Sequence, residues 1–170
     1  LYPDGDKASA RAAEKFGTIY SMSTMASFSI EEIANLSSGP KIFQLYIHKD
    51  QSITDDLIDR CKRANFNGMC ITVDTIVAGN RERDHRTGFT TPPKFTLDSL
   101  MSFAMRPQWV FNYFTNKKFE LANLKDKVEK GTNIAQSVMG YINEQYDPAM
   151  NWKDAESVSY THLRAHETSP

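Results

Sequence analysis

The chain has 170 residues, and 20 Lys and Arg against 21 Asp and Glu give a formal net charge of −1, which supplies no general pull on polyanions and argues against nucleic acid as a partner. An apolar share of 40% and a charged share of 24% exclude a chain disordered throughout, while two cysteines exclude a disulfide-rich scaffold and fit a reducing, cytoplasmic setting. No run of about 18 apolar residues predicts a transmembrane helix, and the polar stretch from Leu1 to Lys15 does not read as a signal peptide.

The first half alternates two periods. Asp6 to Phe16 places Ala8, Ala12, Ala13 and Phe16 on one side of a predicted helix, with Gly17 as its C-terminal cap. Thr18 to Ser23 is a short, mostly apolar run suited to a strand. Ser29 and Glu32 form a capping box ahead of Ile33 and Ala34, and Ser37-Ser38-Gly39-Pro40 ends that helix. A second strand is predicted over Ile42 to Ile47. Ser52 is then the predicted cap of a third helix, with Asp55 and Asp56 in its first turns and Ile53, Leu57, Cys61 and Ala64 as its apolar stripe. Met69 to Asp74 is the third predicted strand.

Strand–helix–strand units repeating about every 25 residues predict a parallel α/β sheet, and both a doubly wound sheet and a (β/α)8 barrel fit that spacing. A barrel takes about 250 residues. With three clear strands, and with Leu1 in place of an initiator Met, the chain reads as a fragment.

From Gly88 to Asn151 the alternation stops. Thr91-Pro92-Pro93 breaks the chain, and Leu97 to Phe114 is rich in Met and aromatic residues. Pro107 and Arg106 forbid a spanning helix there, so the segment is either buried core or an interfacial element. Trp109 and Tyr113 at i, i+4, followed by Lys117 and Lys118, suit a lipid headgroup boundary. Helices are predicted over Asn133 to Tyr141 and from Asn151-Trp152-Lys153-Asp154 onward. Residues 157–170 drop the apolar stripe and read as a foreign tail, leaving 1–156 as the native segment.

Each strand ends in polar groups that an apolar pattern does not require: Ser23, then Gln44 and Tyr46, then Thr72 and Asp74. A buried Gln amide costs about 2–7 kcal/mol unless it is paired. A hydroxyl, an amide and a hydroxyl at adjacent strand ends suit the hydrogen-bonding rim of a flat heterocycle, since ligands of parallel α/β folds bind at the C-terminal ends of strands.

Five stretches together resemble the FMN-dependent L-2-hydroxy acid dehydrogenase family. They are Ser21-Met22-Ser23-Thr24, Phe43-Gln44-Leu45-Tyr46, Thr72-Val73-Asp74-Thr75, Gly79-Asn80-Arg81-Glu82-Arg83-Asp84 and Trp152-Lys153-Asp154. The likeness runs through residues 2–156 in order, and it is strongest to the bacterial L-lactate dehydrogenases. It implies a partial (β/α)8 barrel carrying about strands 2–4 and the long loop after strand 4. It implies FMN as cofactor, with Ser23, Gln44 and Thr72 bonding the flavin ring system. Tyr46 and Arg81 would hold the carboxylate of a small 2-hydroxy acid, Met25 would line the pocket for its side chain, and Asp74 would orient a catalytic His. That His, the Lys beside the flavin and the phosphate-binding loops belong to later strands of the family.

The resemblance further implies oxidation of L-lactate to pyruvate by a full-length parent, a homo-oligomer, with the fragment itself inactive. Membrane-associated relatives carry an apolar insert at the position of residues 98–116, so that segment is expected to meet the inner face of the cell membrane and its quinone. A glycolate-type oxidase is the alternative within the enzyme class. Outside it stands a non-catalytic βαβ binding module whose polar strand ends are structural.

Plainer readings apply to other residues. Arg83 and Arg86 belong to a solvated mixed-charge loop, as Arg81 would by composition alone. Tyr46 alone reads as a strand aromatic and Asp74 as a turn cap. Cys61 and Cys70 have no metal-ligand spacing and read as core residues. His48 reads as a surface residue after a strand. His162 and His166, at i, i+4 in the tail, mimic a metal pair without being one.

Overall fold

The computed structural model describes residues 4–73, 82, 86, 97–115, 121–124 and 149–161. Helix α1 (Gly5–Lys15), strand β1 (Tyr20–Ser23), helix α2 (Ile30–Leu36), strand β2 (Lys41–Leu45), helix α3 (Gln51–Arg63) and strand β3 (Gly68–Ile71) alternate as the two apolar periods predict. Helices α4 (Leu97–Ala104), α5 (Pro107–Thr115) and α6 (Trp152–Thr161) follow. The helix predicted over residues 133–141, the Thr91-Pro92-Pro93 break, the Lys117-Lys118 pair and the His162/His166 pair lie outside the described residues.

Local chemistry sets the helix ends. Gly17, at φ +66, closes α1 with its N–H on the Glu14 carbonyl at 3.1 Å and the Thr18 N–H on Ala13 at 2.9 Å. Asn65, at φ 55, closes α3 in the same way through bonds from Asn65 to Lys62 and from Phe66 to Cys61, both 3.0 Å. The capping box at α2 is complete: Ser29 Oγ accepts from the Glu32 N–H at 3.1 Å, and Glu32 Oε2 accepts from the Ser29 N–H at 3.0 Å. The cap of α3, however, is Asp50 and not Ser52. The Asp50 carboxylate accepts from the Ser52 N–H at 3.0 Å and its hydroxyl at 2.6 Å, so the helix starts earlier and Asp55 and Asp56 fall beyond its first turn. An ionised carboxylate two residues before Ser52 is a strong acceptor for the orphan N–H groups of the first turn.

The three strands are parallel in the order β1-β2-β3, with Ser23 beside Gln44 and Gln44 beside Cys70. Burial alternates along β1 and β2: Tyr20, Met22, Phe43 and Leu45 are buried, while Ser21, Ser23, Ile42 and Gln44 are not. The buried set packs with Ala10 of α1, Ile30 and Ile33 of α2, and Leu57, Ile58 and Cys61 of α3 in one core, where Phe43 and Phe66 meet edge to face at 6.2 Å. Helices therefore cover one face of the described sheet. A doubly wound fold buries both faces under helices, whereas a barrel turns one face inward. The architecture is a partial (β/α)8 barrel.

Two residues expected in other settings are corrected here. Cys70, expected in the core with Cys61, is exposed: it lies beside Gln44 on the face of the described three-stranded sheet that no described helix covers, whereas Cys61 sits in the helix-facing core. His48, expected at the surface, is fully buried. Its main-chain N–H donates to Thr54 Oγ1 at 3.1 Å, which folds the chain back under the first turns of α3. At the far end of the chain, α6 opens where predicted, with Asn151 Oδ1 accepting from the Lys153 N–H at 2.9 Å. It continues past Glu156, and Val158 is 6% exposed within the core.

Candidate active site

The strands end sooner than their apolar runs. β2 stops at Leu45 and β3 at Ile71, so Tyr46 and Thr72 stand just beyond the ladder at its C-terminal edge. Three of the predicted residues meet there. The Ser23 hydroxyl donates to Gln44 Oε1 at 3.0 Å, and Gln44 Nε2 donates to Thr72 Oγ1 at 2.5 Å. Strand register brings Ser23 beside Gln44, and the Thr72 N–H on the Leu45 carbonyl at 3.0 Å brings Thr72 level with the Gln44 side chain. The result is one hydrogen-bonded row across the ends of β1, β2 and β3.

The same edge is braced from behind. Ser23 Oγ also accepts from the Met25 N–H at 3.1 Å, which fixes the start of the loop into α2. Thr24, fully buried, donates its hydroxyl to the Gln44 carbonyl at 2.7 Å and accepts from the Tyr46 N–H at 3.2 Å. Sequence reasoning assigned Thr24 no role. The available signal was a hydroxyl in a run whose neighbours pack inward, where an unpaired donor is costly.

Met25 is half-buried and packs against the core from the loop that follows Ser23. Tyr46 is half-buried two residues beyond Gln44. Asp74 and Arg81, predicted for the His and the substrate carboxylate, lie outside the described residues. Glu82, next to Arg81, and Arg86 form an exposed i, i+4 pair at 3.8 Å in helical conformation, so Arg86 is solvated as expected but not in a loop. Burial pushes the His48 imidazole pKa down to about 4, against weaker upward effects from the Tyr46 main chain and the Asp50 charge.

The donor set fits a flavin edge. In the row, Gln44 spends its carbonyl oxygen and one amide hydrogen, and Thr72 spends an oxygen lone pair. By valence, the second amide hydrogen of Gln44 and the hydroxyl hydrogen of Thr72 remain to be given. The carbonyl oxygens of an isoalloxazine pyrimidine ring are acceptors that match such donors.

Comparison with known proteins gives a consistent picture. The model of the family described as FMN-dependent dehydrogenase matches residues 1–163. Glycolate oxidase 1 of Oryza sativa subsp. indica is 34% identical over 155 residues, covering 91% of this chain and 36% of the relative. L-lactate dehydrogenase of Yersinia pestis is 34% identical over 155 residues, covering 91% of this chain and 40% of the relative. The crystal structure of the monotopic membrane protein (S)-mandelate dehydrogenase superposes with a TM-score of 0.82 at 28% identity, covering 94% of this chain and 42% of that one. The chain thus spans well under half the length of the curated relatives it matches. From the match over nearly its whole length, and from a polar row at the strand ends that fits a flavin, the chain belongs to the FMN-dependent 2-hydroxy acid dehydrogenase family.

Proposed function

We propose that this chain is part of an enzyme that oxidises L-lactate to pyruvate with FMN. The observation that carries the reading is the Ser23–Gln44–Thr72 row at the C-terminal edge of a parallel sheet. When bound, FMN supplies the redox chemistry, accepting two electrons and the C2 hydrogen of the hydroxy acid. Ser23, Gln44 and Thr72 bind the flavin ring edge. Tyr46 donates its phenol to the substrate carboxylate, and Arg81 pairs with that carboxylate through its planar fork. Met25 lines the space for the small substrate side chain. Asp74 orients a His supplied by later sequence and favours its protonated form as it takes the hydroxyl proton. On this reading residues 1–170 alone are inactive, because that base lies outside them, and the intact protein is a homo-oligomer.

The electron acceptor is a membrane quinone at the inner face of the cell membrane, reached through residues 98–116. Two observations support this: the exposed apolar faces of α4 and α5, and the likeness to a monotopic membrane dehydrogenase. No described helix is long and apolar enough to cross a membrane. A glycolate-type oxidase is the second reading, favoured by the equal identity to the rice glycolate oxidase.

Anaerobic addition of L-lactate to the purified intact protein tests the proposal. A yellow protein bleached by L-lactate faster than by glycolate, and reoxidised by a quinone analogue faster than by oxygen, is expected. Faster bleaching by glycolate with rapid reoxidation by oxygen selects the second reading. A colourless protein, or one that no 2-hydroxy acid bleaches, leaves a non-catalytic binding module. Arg81→Lys keeps the charge but loses the fork, so turnover should fall by orders of magnitude while flavin content holds.

A further inference from the structure

The loop between β1 and α2, residues 24–29, carries Met25 and begins at Ser23, and it is held from an unexpected direction. Residues 121–124, within the long excursion after β3, pack onto it, with Leu121, Asn123 and Leu124 all buried. The Ala122 N–H donates to the Ala26 carbonyl at 3.2 Å. Asn123 Oδ1 accepts from the Ile30 N–H at 3.0 Å, capping the first turn of α2 from 93 positions away in sequence. Ser29, the local cap, already spends its hydroxyl on Glu32, so Ile30 draws its acceptor from Asn123.

Arg60 fixes Asn123 in turn. Its guanidinium donates to the Asn123 carbonyl at 3.2 Å and to Asn123 Oδ1 at 3.3 Å, while its other edge grips Glu31 at 2.7 and 2.8 Å. On the opposite side of the loop, Asp6 Oδ2 accepts from both the Ser27 N–H and its hydroxyl at 2.9 Å. The site loop is therefore clamped between α1 and residues 121–124, and Asn123 closes the clamp. Among the described residues Asn123 uses its amide only as an acceptor, since Nδ2 is buried with no partner.

We propose that Asn123 is a positioning residue for substrate selection: it holds the 24–29 loop so that Met25 stands at a fixed distance from the hydroxy acid side chain. The inference rests on the reading of Met25 as a pocket residue in a 2-hydroxy acid dehydrogenase. A shift of about 1 Å in such a wall changes which side chains fit, and one methylene of fit is worth on the order of tenfold in kcat/KM.

The test uses the intact protein and two readouts. In Asn123→Ala, the ratio of kcat/KM for L-lactate to that for a longer L-2-hydroxy acid should shift on the order of tenfold, with kcat per bound flavin nearly unchanged. Asn123→Asp keeps the side-chain acceptor in use and should restore the ratio. Hydrogen exchange at amides 24–30, measured without flavin or substrate, should speed up in Asn123→Ala and not in Asn123→Asp. Arg60→Lys keeps the charge beside Glu31 but loses the bonds to Asn123. It should move both readouts the same way by less, and it serves where Asn123→Ala does not fold. Unchanged selectivity with a lowered melting temperature makes Asn123 merely structural and overturns the inference. Faster exchange without a change in selectivity overturns the role of the clamp in selection. If no 2-hydroxy acid is oxidised, the proposed function itself falls, and the exchange readout still reports on the clamp.

Discussion

Thr24 and Gln44 are joined twice: the Thr24 hydroxyl donates to the Gln44 carbonyl at 2.7 Å, and the Thr24 N–H reaches the same oxygen at 3.0 Å. Because Thr24 Oγ1 also accepts from the Tyr46 N–H at 3.2 Å, one buried side chain bolts the ends of β1 and β2 beneath the polar row. Thr24→Val preserves shape and removes both side-chain bonds, leaving the Tyr46 N–H without its acceptor. The expected cost is about 1–3 kcal/mol, read as a lower denaturant midpoint at constant m-value, with Thr24→Ser closer to the original. A Thr24→Val protein that unfolds at the original midpoint removes the bolt from the account.

The row above that bolt is assigned to the flavin edge, and Gln44 is its centre. Gln44→Leu strands the Ser23 and Thr72 hydroxyls and removes the amide hydrogen left for a ligand. Losing one or two net hydrogen bonds of about 1 kcal/mol each weakens FMN roughly ten- to a hundredfold. Titration of flavin-free intact protein with FMN, followed by flavin fluorescence, measures this directly. Unchanged affinity would detach the row from the cofactor.

The sequence made the row visible because each member is polar where an apolar strand needs none, and because strand register is a local consequence of the two helical crossovers. The same locality made Gly17 and the Ser29/Glu32 box readable, since their partners lie within four residues. What stayed hidden depends on distant partners. His48 follows a strand and reads as surface, yet the fold buries it against Thr54. Cys70 and Cys61 look alike in sequence, and only the choice of sheet face separates them. Asn123 sits in an unremarkable run, and its bond to Ile30 has no periodic signature at all. The sequence pointed to Ser52 as the cap of α3, and Asp50, two residues earlier, takes that place.

Buried His48 gives stability a pH dependence. Its folded pKa lies at about 4, depressed by burial from the ordinary 6.5. Between those values the unfolded chain binds a proton that the folded chain refuses, so stability rises with pH across that window. The contribution is complete above pH 6.5 and is lost as pH falls toward 4, amounting to about 3 kcal/mol at most. Glu31 acts lower. The hydrogen bonds from Arg60 hold its carboxyl at about 2 against an ordinary 4.5, so the stability it adds is present above pH 4.5 and fades below that. Being half exposed, that pair is worth well under 1 kcal/mol. Urea unfolding of the intact protein from pH 7 to pH 4 should therefore show falling stability that His48→Gln flattens. Parallel slopes in the two proteins would assign the loss to other groups.

The hairpin of α4 and α5 presents apolar surface that the described residues leave uncovered: Leu97 is 86% exposed, Phe111 67% and Phe114 79%. Pro107 sits at the first position of α5, where its missing N–H costs nothing, so the two helices meet at a sharp break with Phe103 and Trp109 stacked at 5.2 Å across it. That stack stiffens the hairpin while Phe111, Phe114, Met101 and Met105 stay outside. Exposed apolar area of this kind needs a cover, and helices of eight and nine residues are too short to span a bilayer but suited to lie in its interface. Replacing residues 98–116 of the intact protein with a short Gly-Ser linker should release it from membranes and from anionic vesicles. Flavin content and L-lactate oxidation with a soluble dye should survive. If the variant loses flavin or fails to fold, the hairpin packs on the barrel. If it sediments with membranes as before, some other surface binds them.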